Sequence, residues 1–148
     1  MVGLDVEPPL SQGLPTPPNY RFVQGNILQS LPFAEQSFDY VHQRFLVAAL
    51  PSDNWMRVLR ELVRVTADYG FVELVEGSDD YEHAGPAMQQ FLQWGQLAAK
   101  RVGINVKLVK RLDMLLMDVG LQHVHREVIS SPLGKHGGGS GFQAGAVS

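Results

Sequence analysis

The chain contains no cysteine, which excludes disulfide frameworks, thiolate zinc sites and cysteine nucleophiles. It is also poor in basic charge: 12 Lys and Arg stand against 15 Asp and Glu, a formal net charge of −3. A general nucleic-acid or anionic-membrane binder needs a basic face, so neither kind of partner is expected. No apolar run approaches the roughly 18–20 residues of a membrane span. The first residues, MVGLDVEPPL, lack the basic segment and apolar core of a signal peptide. A cytoplasmic location is the expectation that remains. What is present is the material of one ordinary globular domain, with 148 residues, 45% hydrophobic and 18% charged. No internal repeat is found.

Short apolar strands alternate with helical periodicity. Val2–Val6 reads as a buried strand. Pro8 to Asn19 holds five prolines and a glycine, which leaves an extended connector. Tyr20–Gly25 and Phe38–His42 read as further strands, the second after a turn through Pro32 and residues 34–37. Ser52 is the expected N-cap of a helix in which Trp55, Val58, Leu59, Leu62 and Val63 recur at helical spacing. Arg57, Arg60, Glu61 and Arg64 fall on its wet side. Tyr69–Glu76 reads as a strand, followed by the acidic stretch EGSDD. Helices are expected over about Ala84–Val102 and Leu108–Val119, with Gly120 at the C′ position of the latter. Val124–Ile129 is a last strand candidate. This alternation predicts an α/β fold with a mostly parallel sheet. Residues 1–131 form the expected domain, and residues 132–148 a flexible glycine-rich tail.

Four blocks of this sequence resemble the class I S-adenosylmethionine-dependent methyltransferases: VGLDVEP, FVQGNILQSLPFAEQSFDYVHQRFL, NWMRVLRELVRVTADYGFVELVE, and the later GPAMQQFLQWGQ, MDVGLQHVH and SPLGKHGGGSG. The later block is similar to a subgroup of fungal secondary-metabolism enzymes and their bacterial relatives. The resemblance implies a partial Rossmann-like methyltransferase fold, with VGLDVEP in the place of the family's second strand. The family's first strand and glycine-rich loop, expected before Asp5, are lacking, and the chain looks truncated at both ends. TADYG stands where the family usually has a PGG turn. The run GGGSG, Gly137 to Gly141, has the spacing of a glycine loop, but no apolar strand precedes it.

Position by position, the resemblance implies cofactor-binding roles for Asp5, Asn26, Ile27, His42, Gln43 and Arg44, with S-adenosyl-L-methionine as the cofactor. Asp5 matches the ribose-binding acid; its alternative is to cap the connector that follows. Asn26 matches a position usually held by aspartate, accepting from the adenine amino group; its alternative is a turn residue bonding its own backbone. Ile27 would offer its backbone N–H to the adenine ring. His42, Gln43 and Arg44 match the segment leaving the fourth strand, one wall of the cofactor pocket.

His42 is also the candidate catalytic residue, a general base for a substrate hydroxyl; its alternative is a half-buried histidine bonded to a neighbouring loop. Glu76 either faces the substrate or belongs to a solvated acidic loop. Phe91 and Trp94 are assigned to packing. His123 and His125 share a strand face without a third ligand nearby in sequence, so no metal site is expected. Two functions follow: a methyltransferase acting on a small-molecule acceptor, or a fragment of one; and an inactive methyltransferase-like domain that binds or assembles, by self-association through exposed sheet edges.

Overall fold

The computed structural model describes residues 1–8 and 16–131. The predicted tail, 132–148, and the GGGSG run lie outside the described residues. Four strands form two parallel pairs: β1 (Val2–Asp5) with β2 (Arg21–Gln24), and β3 (Phe38–Arg44) with β4 (Thr66–Val75). Among the described residues no strand joins β1 to β3. Both pairs nevertheless share one core. Leu4 of β1, Ile27 and Leu28 after β2, Val41 of β3 and Val72 and Leu74 of β4 all pack against the same buried cluster.

That cluster is built on α1 (Trp55–Val65), whose apolar residues at three- and four-residue spacing place Trp55, Val58, Leu59, Leu62 and Val65 on its buried stripe. Leu59 is completely buried, and Trp55 and Val58 are nearly so. Ser52 does not cap this helix. Residues Ser52–Asn54 form a 3-10 turn preceded by Pro51, no side chain caps it, and Asn54 takes the cap position of α1 without a side-chain bond. The prolyl φ of −58° already suits a helical entry, so the chain turns in without a hydroxyl acceptor.

Four other expectations are corrected. β3 runs two residues further than its apolar pattern suggested and takes in Gln43 and Arg44, because backbone pairing to Leu74 and Val75 continues regardless of side-chain polarity. β4 starts at Thr66, straight out of α1, and carries an irregularity where the pairing jumps from Phe38↔Thr66 to Tyr40↔Phe71. The third helix divides into a 3-10 segment, Val106–Arg111, and α3 (Leu112–Asp118); Gly120 follows at a φ of +98°, the left-handed closing position its lack of a Cβ allows. Val124–Ile129 forms no strand.

The remaining helix, α2 (Pro86–Arg101), buries none of its residues. Phe91 and Trp94 are 65% and 62% exposed, so the packing role assigned to them does not hold within the described residues.

Candidate functional site

Parallel strands present their carboxyl ends on one side, the side on which ligands sit in α/β folds. The register of β1 and β2 sets Asp5 beside Gln24, and the Gly25 N–H donates to the Asp5 carbonyl at 2.9 Å. Asp5 and the Asn26–Ile27 turn therefore meet at one sheet end. In this arrangement the Asp5 carboxylate accepts from the Glu7 N–H at 3.2 Å, and the Asn26 side-chain oxygen accepts from the Leu28 N–H at 2.9 Å. Each is the local turn bond open to such a side chain. The Asp5 bond is long and exposed and occupies one lone pair of a carboxylate that has several. Ile27 packs on the core through its side chain.

His42, Gln43 and Arg44 do not share a face, because successive strand residues point to opposite sides. Gln43 is buried on the α1 side, 5% exposed, while His42 and Arg44 point away from it. Arg44 lies over the Phe45 ring, 5.5 Å from its centre. Gln43 Nε2 donates to Glu76 at 3.3 Å, and Gln43 Oε1 is buried without a hydrogen-bond partner among the described residues.

Glu76 is neither in a solvated loop nor turned outward. Its carboxylate accepts from the Leu46 N–H at 3.0 Å and the Val47 N–H at 2.9 Å. Between them and β3 stands Phe45 at a φ of +57°, an unfavourable region for a bulky side chain. Glu76 thus fastens the chain where it leaves β3 in a strained turn. The spacing of Glu76 from its strand gave no sign of this, because the partners are backbone groups 29 and 30 residues away.

A second cluster occupies the opposite face of the same sheet. The register pairs His42 directly with Glu73, and the His42 Nδ1 lies 2.5 Å from Glu73 Oε2. Tyr40, two residues back on the same face, donates its hydroxyl to the same oxygen. Glu73 is 9% exposed, whereas the His42 side chain is 39% exposed. The carboxylate beside it raises the Tyr40 pKa above the ordinary phenol value, chiefly through this hydrogen bond, so Tyr40 remains a donor. His42 is thus bonded to a neighbouring strand rather than to a loop. Sequence reasoning passed over Tyr40 and Glu73 because cross-strand register, not spacing, brings them together.

The open cleft of about 500 Å³ beside α2 contains none of the six candidate residues; Asp79, Tyr81, Glu82 and His83 are among its lining.

Residues 2–70 match the family model described as a methyltransferase domain. N-methyltransferase tcpN of Claviceps purpurea is 32% identical over 145 residues, covering 90% of this chain and 50% of the relative. N-methyltransferase sirN of Leptosphaeria maculans is 26% identical over 142 residues, covering 93% of this chain and 50% of the relative. Among solved structures, a chain in the complex of the Haloferax volcanii Trm112 methyltransferase activator with a methyltransferase superposes with a TM-score of 0.58. It is 18% identical, and the match covers 89% of this chain and 57% of that one. Over these stretches the chain is similar to S-adenosylmethionine-dependent methyltransferases, and it shares part of their fold. The chain has a partial Rossmann-like α/β fold and spans about half the length of the curated relatives it matches. Among its described residues no helix is long and apolar enough to cross a membrane.

Proposed function

We propose that this chain is a methyltransferase domain that binds S-adenosylmethionine at the carboxyl ends of β1, β2 and β3 and serves methyl transfer to a nitrogen nucleophile on a small molecule. The observation that carries the reading is the meeting of Asp5 with the Asn26–Ile27 turn at one sheet end. A carboxylate there can accept from both hydroxyls of a ribose. The Asn26 oxygen accepts from an adenine amino group in exchange for its turn bond, and Ile27 packs on the ring. Residues Arg44 to Val47, fastened by Glu76, border the methionine portion. The bound cofactor supplies an electrophilic methyl on a positively charged leaving group, so the protein's task is chiefly to align the acceptor with it. His42 takes the acceptor's proton. The names of the fungal relatives support nitrogen over oxygen as the acceptor atom.

Calorimetric titration with S-adenosylhomocysteine tests this. Micromolar binding is expected, weakened about tenfold or more by Asp5→Ala, since hydrogen bonds to a charged group contribute about 1.5–3 kcal/mol. No heat at millimolar ligand, or equal affinity in the variant, contradicts it.

A second reading is favoured by the separation of the two sheets among the described residues. The chain then acts as an assembly module, its free strand edges pairing with another copy. Sedimentation showing a concentration-dependent dimer that binds no S-adenosylhomocysteine supports this reading; a monomer at all concentrations rejects it.

A further inference from the structure

The Tyr40–His42–Glu73 cluster has the geometry of an oriented base. A carboxylate has no proton to give, so the ring nitrogen 2.5 Å from Glu73 Oε2 is the donor: His42 Nδ1 carries hydrogen. In a neutral imidazole the other nitrogen, Nε2, then holds the lone pair. Among the described residues no hydrogen bond engages that nitrogen, and the His42 side chain, 39% exposed, is open to solvent beside that of the more exposed Tyr40. Glu73 is held in turn: it is nearly buried, it sits directly across the strand from His42, and Tyr40 donates to the same oxygen. Two donors converging on one oxygen hold the carboxylate in a single orientation, and the ring of Tyr40 lies 6.4 Å from that of His42.

We infer that Glu73 is the positioning residue of this site, fixing His42 in the Nδ1–H tautomer so that Nε2 points outward as proton acceptor for the methyl acceptor, with Tyr40 bracing Glu73. The inference rests on the methyltransferase reading above. As the acceptor nitrogen bonds to the methyl group, the methyl–sulfur bond would break with its electron pair left on sulfur; the acceptor N–H bond breaks, its pair stays on the acceptor nitrogen, and an Nε2–H bond forms on His42. The Glu73 carboxylate, at hydrogen-bond distance from Nδ1, stabilises the resulting imidazolium.

Two measurements on the full chain separate the inference from that reading. The first is the tautomer of His42 from long-range proton–nitrogen NMR correlations at a pH where the imidazole is neutral, with the other four histidines as internal controls. The wild type should show Nδ1 protonated and Nε2 unprotonated. Glu73→Ala should return His42 to the Nε2–H form that free imidazole side chains favour, while Glu73→Gln, whose amide oxygen can still accept, should preserve Nδ1–H. Wild-type His42 in the Nε2–H form, or a tautomer indifferent to Glu73→Ala in a variant that keeps the wild-type spectrum elsewhere, overturns the positioning role whatever the turnover.

The second is methyl transfer. His42→Ala should lower kcat about a hundredfold. Glu73→Ala should lower kcat about tenfold with the KM for S-adenosylmethionine unchanged, and should cost nothing further when added to His42→Ala. Full turnover by His42→Ala overturns the proton-transfer role even where the tautomer is as stated.

Discussion

Glu61 and Arg64 lie one turn apart on α1, on the face that the amphipathic pattern marks as wet. Their side chains instead reach back over the segment between β2 and β3. Arg64 donates to the Leu31 and Phe33 carbonyls at 3.0 and 2.9 Å, and Glu61 accepts from the Leu31 N–H at 2.8 Å and the Ser30 hydroxyl at 3.0 Å. Arg57 adds a bond to the Leu28 carbonyl. Three residues of α1 thereby hold the turn that carries Asn26 and Ile27.

The Arg64 guanidinium, aided by the Leu31 and Ser30 bonds, depresses the Glu61 carboxyl from 4.5 to about 2. A depressed folded-state value means that the stabilisation is fully present above about 4.5 and is lost as pH falls toward 2. The pair is partly open to solvent, so its contribution is on the order of 1–2 kcal/mol. Glu61→Gln should lose that amount at neutral pH and show a flatter stability profile through this acid range, measured by urea unfolding at a series of pH values. An unchanged slope would show that the carboxylate is not the group lost to acid. Helical periodicity separates buried from exposed positions, but it carries no information on which exposed side chains find backbone partners 30 residues away.

The best-read segment is α1, where Trp55, Val58, Leu59 and Leu62 are buried as a 3.6-residue period predicts, although Val65 completes the stripe and Val63 is only half-buried. Leu59→Ala empties a fully buried site and should cost about 2–5 kcal/mol, enough to threaten folding of a chain whose total stability is of the order of 5–15 kcal/mol. A variant that melts within a degree or two of the wild type would contradict the burial.

The β3–β4 pair was read less well. Its strand bounds follow from backbone pairing, and its irregularity depends on Gly70, where an added Cβ would fall 2.8 Å from the Asp39 carbonyl oxygen and 2.9 Å from the Ala67 carbonyl oxygen. Backbone atoms cannot step aside, so Gly70→Ala should destabilise by about 1–3 kcal/mol and expose the Tyr40–His42–Glu73 face to faster amide exchange. Wild-type exchange along β3 would count against the clash. Val124–Ile129 shows the converse failure: a β-like composition forms a strand only where a neighbouring edge receives it, and composition does not report an edge.

Across the molecule, the two parallel pairs rest on one core while α2 stands clear of it, and this division is what the sequence could least disclose. The repeat of apolar residues in α2 is real, yet periodicity does not say what covers a stripe. The two tryptophans report the difference. Acrylamide should quench Trp94, 62% exposed, readily and spare Trp55, 1% exposed, in the single-tryptophan variants Trp55→Phe and Trp94→Phe. Equal quenching would mean that α2 is covered in solution. The candidate cofactor residues were named from block resemblance, and the structure accounts for their grouping: register joins Asp5 to the Asn26 turn, while the strand period splits Gln43 from His42 and Arg44.

The central claim, that the strand ends form the cofactor site, is tested most directly by following backbone amide shifts while S-adenosylhomocysteine is titrated into the labelled chain. The account predicts saturable shifts confined to three stretches: Asp5–Glu7, Gln24–Leu28 and His42–Val47. An unchanged spectrum at millimolar ligand, or shifts centred elsewhere, would contradict it.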